Sequence, residues 1–171
     1  FHSEELDLRD LRSSSGKMGR QKREDRRETW LSDCVAETKG ADVVLFDPDN
    51  GLEGSKPKPL TNKGPKFLYW SDLEPFTERN QSLIIYHHQN REGTVYEQIA
   101  RRLSQIKEHV PYGSNAVAML WRRFSVRYFI VVPTDGMRKR CIDVCEKMEN
   151  GPWGQRGFYE LVTRSFPVLF Q

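Results

Sequence analysis

Two short apolar runs, each breaking off into polar and reactive side chains, constrain this chain more than any other feature. Ala41-Asp42-Val43-Val44-Leu45-Phe46 is rich in branched residues and runs straight into Asp47-Pro48-Asp49-Asn50-Gly51. A run that short and apolar, bounded by turn residues, reads as a buried strand delivered into a polar turn. Ser82-Leu83-Ile84-Ile85-Tyr86-His87-His88 repeats the design and continues into Gln89-Asn90-Arg91. Two such strands side by side would carry both polar ends on one sheet edge.

Helical patterns alternate with these strands. Val95, Ile99, Leu103, Ile106 and Val110 follow at spacings of four, four, three and four behind a Thr94-Val95-Tyr96-Glu97 capping box, and Pro111 and Gly113 close the helix. An earlier helix from Gln21 turns Trp30, Leu31, Cys34 and Val35 inward and stops at Lys39-Gly40. Ser71, with Glu74 in capping-box position, predicts a brief helix to Arg79, and residues 135–148 read as a further one. Residues 116–120 and 126–132 are strands whose short connection only an antiparallel hairpin can make, and residues 158–163 are a last strand. This order predicts an α/β domain: a mainly parallel sheet with flanking helices and an antiparallel C-terminal hairpin. Residues 52–66 carry Gly54, Pro57, Pro59, Gly64 and Pro65 with four lysines, and are expected to form a long surface loop.

With 171 residues the chain fits one domain, and 37% hydrophobic against 30% charged residues excludes a wholly disordered or fibrous chain. No apolar run approaches the roughly 20 residues that cross a bilayer, and no secretory leader opens the sequence. A cytoplasmic protein with no membrane partner is expected. The chain starts at Phe1 and is expected to be part of a longer protein. Cys34, Cys141 and Cys145 form no disulfide framework, and zinc would need two further ligands at matching spacing, so no metal site is expected. Charge is concentrated within residues 1–40, a basic segment and helix. There Lys17, Arg20, Lys22, Arg23, Arg26 and Arg27 meet only Glu24 and Asp25, although the whole chain carries just +3. Such a run either lies along nucleic-acid phosphates, releasing counterions, or is the solvated face of a helix.

In open parallel sheets ligands bind beyond the carboxyl ends of the strands. The candidate site is therefore Asp47, Pro48, Asp49 and Asn50 together with Tyr86, His87, His88 and Arg91. The competing reading of Asp47 to Gly51 is a plain turn, since these are common turn residues.

Val43-Val44-Leu45-Phe46-Asp47-Pro48 followed by two polar positions resembles the fourth motif of Rossmann-fold S-adenosylmethionine-dependent methyltransferases, the strand ending Asp-Pro-Pro-Tyr in the amino-methylating group. A helix, a strand over residues 82–88, a long helix and a hairpin follow, in the place of that fold's sixth and seventh strands. The resemblance spans residues 41–132 and implies a single Rossmann-like domain and S-adenosylmethionine as cofactor. It also implies that Asp47 and the Pro48 carbonyl accept hydrogen bonds from a substrate amine. Asp49 stands where the family has its second proline and Asn50 where it has an aromatic. Tyr69, Trp70 or Tyr86 would then supply the ring, and the basic run and lysine-rich loop would hold nucleic acid. No Gly-x-Gly follows a strand in residues 1–40. The string from Asp47 to Glu53 also resembles one in an uncharacterised bacterial group, which implies no activity.

Three alternatives stand beside that reading. Asp47 and Asp49 are similar to the Asp-x-Asp pair of haloacid-dehalogenase-like phosphatases, which implies magnesium, a nucleophilic first carboxylate and an acid/base second one. A metal-dependent nuclease would use Asp47, Asp49, Glu53 and His87. A catalytically silent module would use the basic run and aromatics to bind nucleic acid or a protein.

Overall fold

The computed structural model describes residues 4–11, 16–55 and 57–163. The serine spacer at residues 13–15 and Lys56 lie outside them. The first helix, α1, spans Gly16–Glu37, and strand β1 follows at Val43–Phe46. Helix α2 (Trp70–Glu78), strand β2 (Ser82–His88) and helix α3 (Val95–His109) come next. The hairpin of β3 (Val117–Trp121) and β4 (Arg127–Val132), helix α4 (Arg138–Asn150) and strand β5 (Tyr159–Val162) complete the order. The chain is an α/β fold built on one five-stranded mixed sheet, ordered β1-β2-β4-β3-β5.

Strand directions refine the sequence expectation. β1 and β2 pair in parallel, whereas β2 with β4, β4 with β3, and β3 with β5 are antiparallel. β1, β2 and β3 therefore run the same way, yet β4 inserts between β2 and β3, so one pair of neighbours alone is parallel. The inserted strand is the returning arm of the expected hairpin. The carboxyl ends of β1, β2 and β3 consequently share one edge, and the β3–β4 turn lies on that edge too.

Alternation along the strands divides the core in two. Val44, Phe46, Leu83, Ile85, Leu120, Tyr128 and Ile130 face one side and pack with Leu73 and Phe76 of α2 and Ile99, Leu103 and Ile106 of α3. Val117, Met119 and Val131 face the other side, beneath Cys141, Ile142 and Cys145 of α4.

Two local expectations change. The first helix begins at Gly16 rather than Gln21, which places the whole basic run on one helix. Helix α2 begins at Trp70, and the carboxylate of Asp72, not the Ser71 and Glu74 pair, accepts the Tyr69 N–H at 2.8 Å. Asp72 takes that role because it is buried and also paired with Arg27 of α1 at 2.5 Å, a tertiary contact that a local capping pattern does not contain. No helix among the described residues is long and apolar enough to cross a membrane.

Candidate functional site

The chain leaves β1 at Phe46 and turns at once, with Gly51 N–H donating to the Pro48 carbonyl at 3.3 Å. Gly51 takes φ +75°, and a Cβ there would lie 2.3 Å from Nδ1 of His87, so only glycine fits both the backbone and the imidazole packed on it. The expected surface loop is tethered at its stem. Leu68 N–H donates to Gly51 O at 3.0 Å, Glu53 N–H to Leu68 O at 2.8 Å and Asn50 N–H to Lys66 O at 2.9 Å, leaving Leu52 fully buried.

His87 holds the turn from the other strand. Its Nε2 accepts the Leu52 N–H at 3.2 Å, and its ring stacks on Tyr128 with centroids 5.0 Å apart. Burial, with Arg102 and His88 adding positive charge nearby, pulls its pKa down to about 3, so at neutral pH it is an uncharged acceptor. Arg102 of α3 completes the clamp by donating to the carbonyls of Leu52 at 2.9 Å and Glu53 at 2.8 Å and to Gln105 Oε1 at 2.9 Å. Gln98, one turn earlier, pins the loop between β2 and α3 through Asn90 and Gly93. Between these groups lies an open cleft of about 590 Å³, bordered by Asp49, Asn50, His87, His88, Arg101 and Arg102.

The candidate residues thus divide. Asp49, Asn50, His87 and His88 border the cleft, with Asp49 paired to Lys66 at 2.7 Å. Asp47 is exposed and makes no hydrogen bond or ion pair among the described residues. It directly follows Phe46, whose register partner is Ile85, at the carboxyl end of β1, and, besides burial, its negative charge contributes to raising the Tyr86 phenol. Tyr86 is half-buried against Phe129 and His88. Tyr69 is buried, donates to Pro57 O at 3.1 Å and lies under Arg27, and Trp70 stacks on His109 at 4.3 Å, so neither reaches the cleft. Arg91 is exposed on the loop after β2.

The metal-dependent sets are not brought together. The Glu53 carboxylate accepts the Trp70 N–H at 2.8 Å, and Nε2 of His87 is already occupied. The described residues contain no group of three or more His, Cys, Asp or Glu that could hold a metal ion. Burial pushes the Cys34 and Cys145 thiols up to about 11, so neither is a reactive thiolate at neutral pH.

Within the basic run, three of the four arginines serve the fold. Arg27 pairs with Asp72, Arg26 binds Asp10 at 2.5 Å and Arg23 donates to Leu11 O at 3.2 Å. Lys17, Arg20 and Lys22 are exposed, Arg20 lying 3.6 Å from Glu24. Sequence reasoning missed Gln98, Arg102 and Tyr128. The first two directly precede the inward Ile99 and Leu103, and polar residues bordering an apolar stripe are the signal that marks them. No protein-family model, curated protein or solved structure matches this chain.

Proposed function

We propose that this domain is the substrate-holding part of a methyltransferase-like enzyme acting on an amine of nucleic acid. The observation that carries the reading is Asp47: a carboxylate at the carboxyl end of β1 with no partner among the described residues, while His87, Gln98 and Arg102 of the neighbouring elements are committed to the fold. A free acceptor beyond a parallel strand suits a substrate amine, which Asp47 would orient by accepting its N–H. The element order from β1 through the β3–β4 hairpin supports the same reading.

The described residues do not themselves fit the S-adenosylmethionine that the resemblance implies. No glycine-rich turn follows a strand ahead of β1, so the role assigned to these residues is confined to the substrate. The Pro48 carbonyl already accepts Gly51 N–H, which leaves it one further lone pair for an amine.

The test is transfer of labelled methyl from S-adenosylmethionine to single-stranded DNA and RNA by the full chain and by Asp47→Asn. Loss of at least 100-fold in rate with an unchanged melting temperature is expected. Full activity in Asp47→Asn sinks the proposal, and a wild-type chain that neither binds the cofactor nor transfers methyl moves the domain to the silent binding module.

A further inference from the structure

We infer that the tip of the β3–β4 hairpin and the Trp153 loop form a stacking surface for unpaired bases of a single-stranded nucleic acid. Phe124 sits at the hairpin tip, 94% exposed, at φ +65°. Ser125 N–H donates back to Arg123 O at 2.9 Å, which makes this a three-residue turn of the positive-φ kind, rare and strained for a bulky residue. The fold therefore holds an aromatic ring out in water in a conformation that the ring itself disfavours. Strain kept at an exposed aromatic is a mark of function rather than of packing.

The neighbours supply the rest of such a surface. Trp153 is 46% exposed, and its loop is fastened to the hairpin because Phe158 N–H donates to Trp153 O at 3.0 Å and Arg122 N–H to Phe158 O at 2.9 Å. The Arg123 guanidinium lies over Phe124 at 4.9 Å and Trp153 at 4.7 Å. Arg127 lies over Trp121 at 5.1 Å and Tyr86 at 6.0 Å, its Nε buried without a hydrogen-bond partner. Neither Arg123 nor Arg127 has a carboxylate partner among the described residues, whereas Glu160 is taken by Arg122 at 2.5 Å. Two guanidiniums fixed by ring faces, with their charge left over, beside two exposed rings, match phosphates alternating with bases.

Position links this surface to Asp47. Arg127 pairs in register with both His88 and Trp121, and Asp47 directly follows Phe46, the register partner of Ile85 in the next strand, so the rings, guanidiniums and Asp47 all lie along the carboxyl edge of the sheet. Three strand spacings of ~4.8 Å separate β1 from β3, within reach of one bound strand. The inference rests on the reading that the substrate is a nucleic acid, and adds that it is single-stranded and which side chains take it.

Fluorescence anisotropy of labelled single-stranded and duplex DNA and RNA of equal length would test it. Single strands should bind more tightly than duplex, with affinity falling steeply as salt rises. Phe124→Ala and Trp153→Ala should each weaken single-strand binding roughly 5- to 150-fold, the range for loss of one stacked base. Phe124→Gly, which relieves the positive φ, should fold at least as well as the native protein and bind as poorly as Phe124→Ala. Native affinity in both aromatic variants, a preference for duplex, or self-association that Phe124→Ala abolishes without any oligonucleotide binding would overturn the inference. Anisotropy reads binding without S-adenosylmethionine, whereas the methyl-transfer assay reads Asp47, so an error about methyl transfer leaves the anisotropy results unchanged and an error about this surface leaves the loss of transfer in Asp47→Asn unchanged.

Discussion

At His87 one imidazole carries structure, not acid-base chemistry. Its folded pKa of about 3 lies below the ordinary 6.5, so below pH 6.5 the unfolded chain takes up a proton that the folded chain refuses. Stability is thus fully present above pH 6.5 and is lost as pH falls from there toward 3. Urea unfolding at pH 7 and pH 5 should differ by about 2 kcal/mol, and His87→Gln should remove most of that difference. The two histidines at the end of β2 are polar endings in the sequence, and that much is legible. Which of them turns inward is not, because alternation assigns opposite faces without saying which face the helices will cover. The same limit hid the difference between Tyr69, buried under Arg27, and Asp47, left free.

Among the elements, α3 is the one read most completely from sequence. Its apolar spacing and capping box are local, and the structure has Thr94 accepting from Glu97 N–H at 3.3 Å while Glu97 accepts from Thr94 N–H at 2.7 Å. Thr94→Ala should cost about 0.5–2 kcal/mol in thermal or urea unfolding. Helix α2 shows the opposite case. Its start depends on Asp72, whose choice of partner is made by α1, far away in the chain. The segment at residues 52–66 has a loop's composition, yet its stem joins the fold through the parallel bridge between Leu52 and Leu68. A two-residue bridge leaves no periodic trace, so composition could not reveal it.

For the whole molecule, the Arg27–Asp72 pair ties α1 to the α2 end of the core, with side chains only 11% and 6% exposed. Breaking one partner of so buried a pair leaves the other charge unsatisfied. Arg27→Met should destabilise by about 3–5 kcal/mol, and the double variant Arg27→Met/Asp72→Leu by less, which a double-mutant cycle of unfolding free energies would measure. By itself the sequence determined the elements, their α/β alternation, the hairpin and the polar strand ends, because period, caps and turn residues act over a few neighbouring residues. Only the tertiary structure decided that β4 inserts between β2 and β3, that three of the basic run's four arginines hold the fold, and that Arg123, Phe124 and Trp153 meet. Those outcomes depend on contacts between distant segments, where burial and pairing choose among partners that are equivalent in local sequence.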